Sequence, residues 1–261
     1  MSTPLKPLKW YHDLATKKGR SETGAFAVEG HRAIEQIITG HPESIIEILA
    51  DQEPEPVFRG YPLRKLTRSQ FLSISNTKTP QGILAVVKLP EEIYSDCLPE
   101  DCGNKVLLLE DIQDPGNAGT LIRTAAAFDF SGIIMTEKCA DPLSPKCVQA
   151  TAGSVLSVWI RRTQKYAGLA QSLKDKGHYV VAADLAGTED TSVMSRKEKL
   201  LLALGNEASG LSKNILDMAN FRMRLPTNQQ KAESLNVAAC GAVCMFLSSM
   251  VCVPAAQEPQ Q

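Results

Sequence analysis

The sequence has almost no net charge and carries none of the common nucleotide-binding loops. Its 28 Lys and Arg residues are balanced by 29 Asp and Glu residues, which gives a formal net charge of −1. No chain-wide basic field points to nucleic acid, so any such surface must be local. Neither GxxxxGK[ST] nor GxGxxG occurs, which disfavours P-loop proteins and the standard dinucleotide-binding oxidoreductases.

Cysteine and histidine are too scattered to indicate a metal centre or a disulfide framework. The seven Cys are odd in number, they form no CxxC pair, and the four His lie apart from them, whereas zinc ligands come in tight clusters. Cys240 and Cys244 lie in an apolar run and are expected to pack as small core side chains. We predict no metal, reduced thiols and a cytoplasmic location.

Long apolar runs are also scarce. The first residues, MSTPLKPLKW, lack the apolar core that a signal peptide needs. Residues 237–253 are nearly all apolar, but this length is at the lower limit for spanning a bilayer, and Ser248 and Ser249 interrupt the run. The expected structure is a helix buried in the core or against a second subunit, without membrane contact.

The composition divides the chain into two domains. The stretch LPEEIYSDCLPEDCGNK is acidic and contains two prolines, so residues 91–105 are predicted to be a linker. Residues 1–90 are predicted to form a small α/β sandwich, and residues 254–261 a flexible tail. The strands predicted for the first domain are 26–29, 44–50 and 82–87, and the helices are 30–39 and a short one that Thr67 caps.

The second part, residues 106–253, alternates apolar runs with helical patterns. Such alternation predicts a mostly parallel sheet with helices on both faces, and ligands of such sheets bind at the carboxyl ends of the strands. The predicted strands are 106–109, 133–135, 158–160, 179–182, 200–204 and 221–225, and the predicted helices are 120–128, 146–152, 167–176, 213–218 and the apolar run from 237.

Polar loops follow three of these strands. The first is DPGNAGT, where Asn117 is expected to start a helix that carries Arg123 less than two turns later. The second, LGNEASG, places Glu207 between Gly205 and Gly210. In the third, a long polar loop leads to Ser234, which is a candidate N-cap of the last helix. Each loop alone also fits an ordinary cap or turn, but the three in this order are far more specific.

The three loops together resemble the motifs of the SpoU/TrmH family of SPOUT methyltransferases. NAGTLIR resembles the first motif, GNEASG the second, and LP followed by SLNV the third. Residues 20–88 more loosely resemble the family's accessory substrate-binding domain, which is similar to a ribosomal RNA-binding protein. The sequence departs from many relatives at Ala208, Gln149 and Leu225, which stand where Gly, a basic residue and Ile are frequent.

The resemblance implies a trefoil-knotted parallel sheet that binds S-adenosylmethionine, and a homodimer in which each site is completed across the interface. It implies methyl transfer to a ribose 2′-hydroxyl of RNA, with ribosomal RNA favoured over transfer RNA. A non-catalytic RNA-binding or ribosome assembly factor of the same fold remains the alternative. Because a guanidinium resists deprotonation, Arg123 is either the base that relatives are proposed to use or a group that stabilises the alkoxide.

The same resemblance implies specific site residues. The catalytic candidates are Arg123, Asn117, Glu207, Ser234 and Asn236. The candidates for cofactor binding are Leu204, Gly205, Asn206, Gly210, Leu225, Pro226, Ser234 and Leu235. Local charge adds the candidates for RNA binding, which are Lys17, Lys18, Arg20 and Arg123.

Overall fold

The protein is described by a computed structural model that covers residues 6–228, 230–231 and 234–250. The predicted tail and the end of the apolar run, 251–253, lie outside the described residues. The described residues form two α/β domains, each with one sheet and its own helices. The first domain ends before residue 89, and the second begins after residue 104.

The first domain is a sheet in the order β1-β4-β2-β3, covered by helices on both faces. Neighbouring strands pair antiparallel except for β2 and β3, which run parallel. The strands are β1 (Ala25–Glu29), β2 (Ile45–Ala50), β3 (Leu63–Lys65) and β4 (Ile83–Lys88), and the helices are α1 (Leu8–Asp13), α2 (Lys17–Thr23), α3 (His31–Gly40) and α4 (Arg68–Ile74).

Alternation along the strands explains the sandwich. Phe26 and Val28 pack on the side of α3, whereas the intervening positions of the sheet pack with Tyr11 of α1 and Phe71 of α4, because successive strand residues point to opposite faces. Thr67 caps α4 by accepting the Gln70 backbone N–H at 3.3 Å. The predicted sandwich and this cap are confirmed, whereas α1, α2 and β3 were not predicted.

The second domain is a parallel sheet in the order β10-β8-β9-β5-β6-β7. Its strands are β5 (Lys105–Leu109), β6 (Gly132–Met135), β7 (Trp159–Arg162), β8 (Tyr179–Thr188), β9 (Leu200–Leu204) and β10 (Phe221–Met223). Its helices are α5 (Pro115–Ala127), α6 (Pro145–Thr151), α7 (Tyr166–Asp175), α8 (Val193–Arg196), α9 (Lys213–Met218) and α10 (Val237–Ser249).

Helices cover both faces of this sheet, as predicted. Leu107 and Leu109 of β5 pack in the layer that holds α5 and α10, whereas Leu108 packs with α7 and α9 on the other face. The main difference from the prediction is β8, which continues beyond residue 182. Its last residues pass the end of β9 and pair with β10, where Met223 lies opposite Thr188.

The two domains are joined by packed contacts. The guanidinium of Arg20 is 2% exposed and lies 2.7 Å from the Asp141 carboxylate of the second domain. Gly153 has a φ of +93°, and a Cβ there would lie 2.4 Å from the carbonyl oxygen of Ala33 in α3, so the backbones meet directly.

The segment predicted as a linker is also held in place. Arg161 of β7 donates to the carbonyl of Cys97 at 2.7 Å and forms an ion pair with Glu92. The Arg162 N–H donates to the carbonyl of Ile93 at 2.8 Å. Residues 91–105 therefore connect the domains while packing along the β7 edge of the sheet.

Candidate functional site

The first motif loop is shaped by Asp114, which caps α5. Its Oδ1 accepts the Asn117 backbone N–H at 2.9 Å, and Pro115 occupies the first turn. Asp114 is thus the N-cap, and the prediction that Asn117 starts the helix is wrong. The Asn117 N–H and the Lys146 ammonium hold the pKa of the Asp114 carboxyl below its usual range. With capping assigned to Asp114, the Asn117 side chain is left to face the neighbouring loops.

The second motif loop is a tight turn that glycine makes possible. Asn206 and Gly210 exchange backbone hydrogen bonds of 3.2 and 2.9 Å. A Cβ on Gly205 would lie 2.3 Å from the Gly210 carbonyl carbon, so a larger residue cannot be accommodated without moving the loop. Asn206 Oδ1 accepts the backbone N–H groups of Ala208 and Ser209 at 2.9 and 3.1 Å.

Both ends of this loop are fastened to the end of β5. Asn206 Nδ2 donates to the Asp111 carbonyl at 2.9 Å. The Glu110 carboxylate, 5% exposed, accepts the Ser212 backbone N–H at 2.7 Å and the Tyr166 hydroxyl at 2.6 Å. Desolvation and the bond to Glu110 raise the pKa of the Tyr166 hydroxyl. The sequence prediction did not include Glu110, whose one signal is a carboxylate directly after an apolar strand.

The third motif loop leads into α10 through Asn236. Its Oδ1 accepts the backbone N–H groups of Ala238 and Ala239 at 2.9 and 3.3 Å. Asn236 is therefore the N-cap, and the prediction that Ser234 caps this helix is wrong. Asn236 rather than Ser234 takes the N-cap position because its side-chain carbonyl reaches two backbone N–H groups of the first turn.

A chain of side-chain hydrogen bonds joins the three loops. Asn236 Nδ2 donates to Asn117 Oδ1 at 3.1 Å, and Asn117 Nδ2 donates to Glu207 Oε1 at 2.5 Å. The loops come from distant parts of the sequence, but the carboxyl ends of parallel strands meet at one edge of the sheet. The geometry thus brings three of the five catalytic candidates into direct contact.

A cavity of about 320 Å³ lies beside this chain of hydrogen bonds. Its size falls in the range of small-molecule sites. The cofactor-binding candidates that line it are Leu204, Gly205, Asn206, Gly210, Leu225, Ser234 and Leu235. Pro226 is not among the described residues that line the cavity.

The cavity also has walls that the sequence prediction missed. Ala183, Asp184 and Leu185 belong to the extension of β8, and Val237 and Cys240 belong to α10. The Asp184 carboxylate accepts a hydrogen bond from Nε of Arg222 at 2.6 Å, so the guanidinium compensates its negative charge. A sequence pattern could have found these residues only by extending β8 beyond its apolar core.

Arg123 lies elsewhere on the surface. It is exposed on α5, and within residues 6–228, 230–231 and 234–250 it neither lines the cavity nor makes a side-chain hydrogen bond. The adjacent α10 exposes Val243 and Phe246, and Met250 directly follows the helix; the three residues are 42%, 51% and 50% exposed. Phe246 packs edge-on against Phe128 at the end of α5, with ring centroids 6.2 Å apart.

The basic candidates of the first domain divide into two groups. Lys17 and Lys18 are exposed on α2. Arg20 is buried: besides pairing with Asp141, it donates to the carbonyls of Leu14 and Ala15 at 3.0 Å each. The prediction that Arg20 binds RNA is therefore wrong, because its guanidinium is already used between the domains.

Two further observations concern the described residues alone. None of their helices is both long and apolar enough to cross a membrane. No group of three or more His, Cys, Asp or Glu side chains among them is arranged to hold a metal ion.

Comparison with known proteins identifies the family. The family model of the SpoU rRNA methylases matches residues 104–246. The chain belongs to the SpoU rRNA methylase family. Residues 6–85 match the model of the MRM3-like substrate-binding domain. SpoU enzymes transfer a methyl group from S-adenosylmethionine to a ribose hydroxyl of RNA, and this is the class of enzyme to which the chain belongs.

Individual relatives of the SpoU family extend over both domains. The chain is 31% identical over 248 residues to the 23S rRNA (guanosine(2553)-2′-O)-methyltransferase RlmP of Bacillus subtilis, covering 94% of this chain and 96% of that protein. The AdoMet-bound rRNA methyltransferase of Sinorhizobium meliloti aligns with a TM-score of 0.76 at 29% identity, over 95% and 96% of the two chains. The SpoU methyltransferase AviRb of Streptomyces viridochromogenes shares the fold, with a TM-score of 0.79 at 23% identity over 93% and 96%.

Proposed function

We propose that this SpoU enzyme methylates a ribose 2′-hydroxyl of ribosomal RNA in the cytoplasm. The observation that carries the proposal is the hydrogen-bonded chain Glu207–Asn117–Asn236 at the rim of the cavity. Two relatives that span nearly the whole chain are named as rRNA methyltransferases, which favours ribosomal RNA over transfer RNA. Residues 1–90 would bind the RNA and residues 106–253 would carry out the transfer.

The cavity has the features that S-adenosylmethionine requires. Backbone groups of residues 205–210 face it on one side, and Leu225, Ser234 and Leu235 face it on another. A Cβ at Gly205 would collide with the loop that forms this wall, so the site depends on the absence of a side chain. When bound, S-adenosylmethionine supplies the methyl group, and the protein supplies orientation and electrostatics.

Asn117 and Asn236 would orient the ribose beside the cavity. Each amide keeps a fixed direction because it is hydrogen-bonded on both sides: Asn236 also caps α10, and Asn117 also binds Glu207. Fixed donors and acceptors hold a weak nucleophile in line for attack, which is a large part of the catalytic effect for such reactions. Ser234, at the cavity wall, would contact the substrate or the cofactor from the third loop.

Arg123 would act on the hydroxyl as a cation. A guanidinium does not act as a base in proteins, so we assign Arg123 to binding the adjacent phosphate and stabilising the negative charge on the attacking oxygen. The hydroxyl proton would pass to the Glu207 carboxylate. Lys17 and Lys18 would add phosphate contacts from the first domain.

Arg123 would reach the cavity of a second protomer. Its exposed position on α5, beside the exposed apolar residues Val243 and Phe246 of α10 and Met250 directly after that helix, supports a homodimer through the second domain. Contiguous exposed apolar side chains are typical of protein interfaces. The trefoil knot expected for this domain belongs to the same proposal.

The test is methyl transfer from labelled S-adenosylmethionine to purified RNA. We expect incorporation into unmodified 23S ribosomal RNA and little into transfer RNA. Preferential labelling of transfer RNA would overturn the choice of substrate. A protein that binds both ribosomal RNA and S-adenosylmethionine without transferring a methyl group would instead be a non-catalytic member of the fold.

A further inference from the structure

A narrow crevice between the two domains separates the loop of residues 75–81 from α6. It is about 20 Å³ in volume, and its walls include Asn76 and Thr77 on one side and Pro145, Val148 and Gln149 on the other. The loop connects α4 to β4 in the first domain, whereas α6 belongs to the methyltransferase domain. The crevice is therefore a place where one RNA strand can touch both domains.

Glu29 holds the beginning of this loop. Its Oε1 accepts the hydroxyls of Ser75 and Thr77, both at 2.7 Å, and its Oε2 accepts the Asn76 backbone N–H at 3.3 Å. Glu29 is the last residue of β1 and is partly buried. A carboxylate that binds three consecutive residues in this way fixes the path of the backbone.

The end of the loop is held as well. Gln81 Oε1 accepts the His31 backbone N–H at 3.1 Å, next to the first turn of α3. The Gly82 carbonyl accepts the Asp51 N–H at 3.0 Å. Between these two anchors, Lys78 and Thr79 are exposed. Both ends of the loop are thus fixed by hydrogen bonds, and its middle presents the Lys78 ammonium and the Thr79 hydroxyl at the surface.

The charge of this segment suits the RNA backbone. From residue 68 to residue 90 the sequence contains Arg68, Lys78 and Lys88 but no Asp or Glu. The exposed groups of the loop are ammonium, hydroxyl and amide, which are the groups that contact phosphates and sugars. Arg68 is paired with the Asp51 carboxylate at 2.7 Å, so Lys78 is the cation that the loop itself presents.

The other wall of the crevice leads to the methyl-transfer site. Helix α6 exposes Lys146 and Gln149, and the Lys146 ammonium lies 3.2 Å from the carboxylate of Asp114, the cap of α5. Helices α6 and α5 pack very closely, since a Cβ on Gly119 would lie 2.4 Å from the Cys147 carbonyl oxygen. Helix α6 is therefore the element that lies between the loop of residues 75–81 and Asn117 in α5.

We propose that the strand flanking the target nucleotide crosses α6 and that its backbone binds Lys78 and Thr79, with Glu29 as the positioning residue of the loop. This inference rests on the proposed function and names the RNA path for the same site. Gln149 then faces the strand as a neutral hydrogen-bonding group, while Lys78 provides the positive charge from the opposite domain.

The test compares Lys78→Gln with Lys65→Gln, using 23S ribosomal RNA transcribed in vitro. Lys65 is exposed on β3, at the opposite edge of the same sheet from β1, and is the matched control. We expect Lys78→Gln to weaken RNA binding about three- to tenfold and to lower the slope of log affinity against log salt by roughly 0.7 to 0.9, the value of one phosphate contact. Affinity for S-adenosylmethionine should stay unchanged in both variants.

Glu29→Ala tests the positioning role. It should raise the KM for RNA several-fold without changing the Kd of S-adenosylmethionine, and it should increase hydrogen exchange at residues 75–81. Glu29→Gln, which keeps an acceptor, should recover most of the wild-type KM. If Glu29→Ala does not fold, Lys78→Gln decides the question, since that side chain lies on the surface.

Equal RNA binding by the Lys78 and Lys65 variants, in a wild type that does methylate ribosomal RNA, would overturn this inference and leave the proposed function intact. Absence of methyl transfer by the wild type would count against the proposed function. In that case the binding comparison still tests the RNA path, because it requires no turnover.

Discussion

Asn117 donates a hydrogen bond to the Glu207 carboxylate across 2.5 Å, although the two residues are 90 positions apart in the sequence. The contact joins the start of α5 to the turn after β9. It is possible because Asp114 satisfies the backbone N–H of Asn117 and leaves its side-chain amide available. Removing this amide should therefore disturb the geometry of the site more than the fold.

Asn117→Ala should lower kcat about 100-fold, the effect expected when a reacting group is displaced by about 1 Å. The Kd of S-adenosylmethionine should change less than threefold, since Asn117 is not among the described residues that line the cavity. Single-turnover methyl transfer and calorimetry measure the two quantities. A variant with normal turnover would remove Asn117 from the catalytic group.

Glu110→Ala should weaken cofactor binding, although Glu110 is buried behind the second motif loop. It would release the Ser212 N–H and the Tyr166 hydroxyl together. A hydrogen bond to a charged group contributes about 1.5–3 kcal/mol, and we expect the Kd of S-adenosylmethionine to rise about tenfold. Glu110→Gln should largely restore binding, whereas Tyr166→Phe should show a smaller effect. Wild-type affinity in Glu110→Ala would refute the role of this anchor.

Arg20→Ala should destabilise the protein by about 3–5 kcal/mol, because it leaves the Asp141 carboxylate without its buried partner. Lys18→Ala, on the exposed face of the same helix, should change the free energy of unfolding by less than about 0.5 kcal/mol. Urea unfolding of the two variants gives the comparison. Equal stabilities would show that the Arg20–Asp141 pair does not hold the domains together.

Cys147 should resist alkylation in the native protein. Burial raises the pKa of its thiol to about 12, with smaller contributions from Asp141 and Asp114. At pH 9, iodoacetamide should modify the exposed Cys97 and spare Cys147, as measured by peptide mass spectrometry. Because the folded pKa is raised, this thiol contributes stability below pH 9 that is lost as the pH rises toward 12. Equal labelling of both cysteines would contradict the buried position.

Complementation between two inactive variants tests the composite site. Arg123→Ala keeps the cavity, whereas Gly205→Val disrupts the loop that forms the cavity wall and keeps Arg123. If Arg123 acts in the partner's cavity, mixing the two variants through a denaturation and refolding step should restore up to about a quarter of the wild-type activity, the fraction of complete sites expected from random pairing. Two inactive variants that stay inactive after forming mixed dimers would place Arg123 within its own subunit.

The sequence predicted the sheets well because the relevant signals are local. Apolar runs such as residues 200–204 match strands that are buried on both faces, and their alternation with helices leaves few possible topologies. Each motif loop was recognised as a polar stretch directly after an apolar strand. The three loops were predicted to form one site because the carboxyl ends of parallel strands meet at one edge of the sheet. Helix α10 follows the continuous apolar run but begins two residues later than a Ser234 cap would place it, because Asn236 is the N-cap.

Other features depend on contacts that no local pattern reveals. Arg20 lies in a polar segment and looks like a surface residue, but its partner Asp141 is 121 positions away. The choice of Asp114 over Asn117, and of Asn236 over Ser234, depends on which of two suitable side chains reaches the first turn. The extension of β8 follows from its pairing with β10, which is not visible in its own mixed sequence.

The most direct measurement of the central claim is the chemical position of the transferred methyl group. Ribosomal RNA labelled by the enzyme is hydrolysed in alkali, which cleaves next to free 2′-hydroxyls and leaves a dinucleotide wherever the 2′-oxygen is methylated. We predict that wild-type protein places the label in alkali-stable dinucleotides and that Arg123→Ala lowers this label more than about 100-fold. Label recovered in mononucleotides, or equal labelling by Arg123→Ala, would contradict the account.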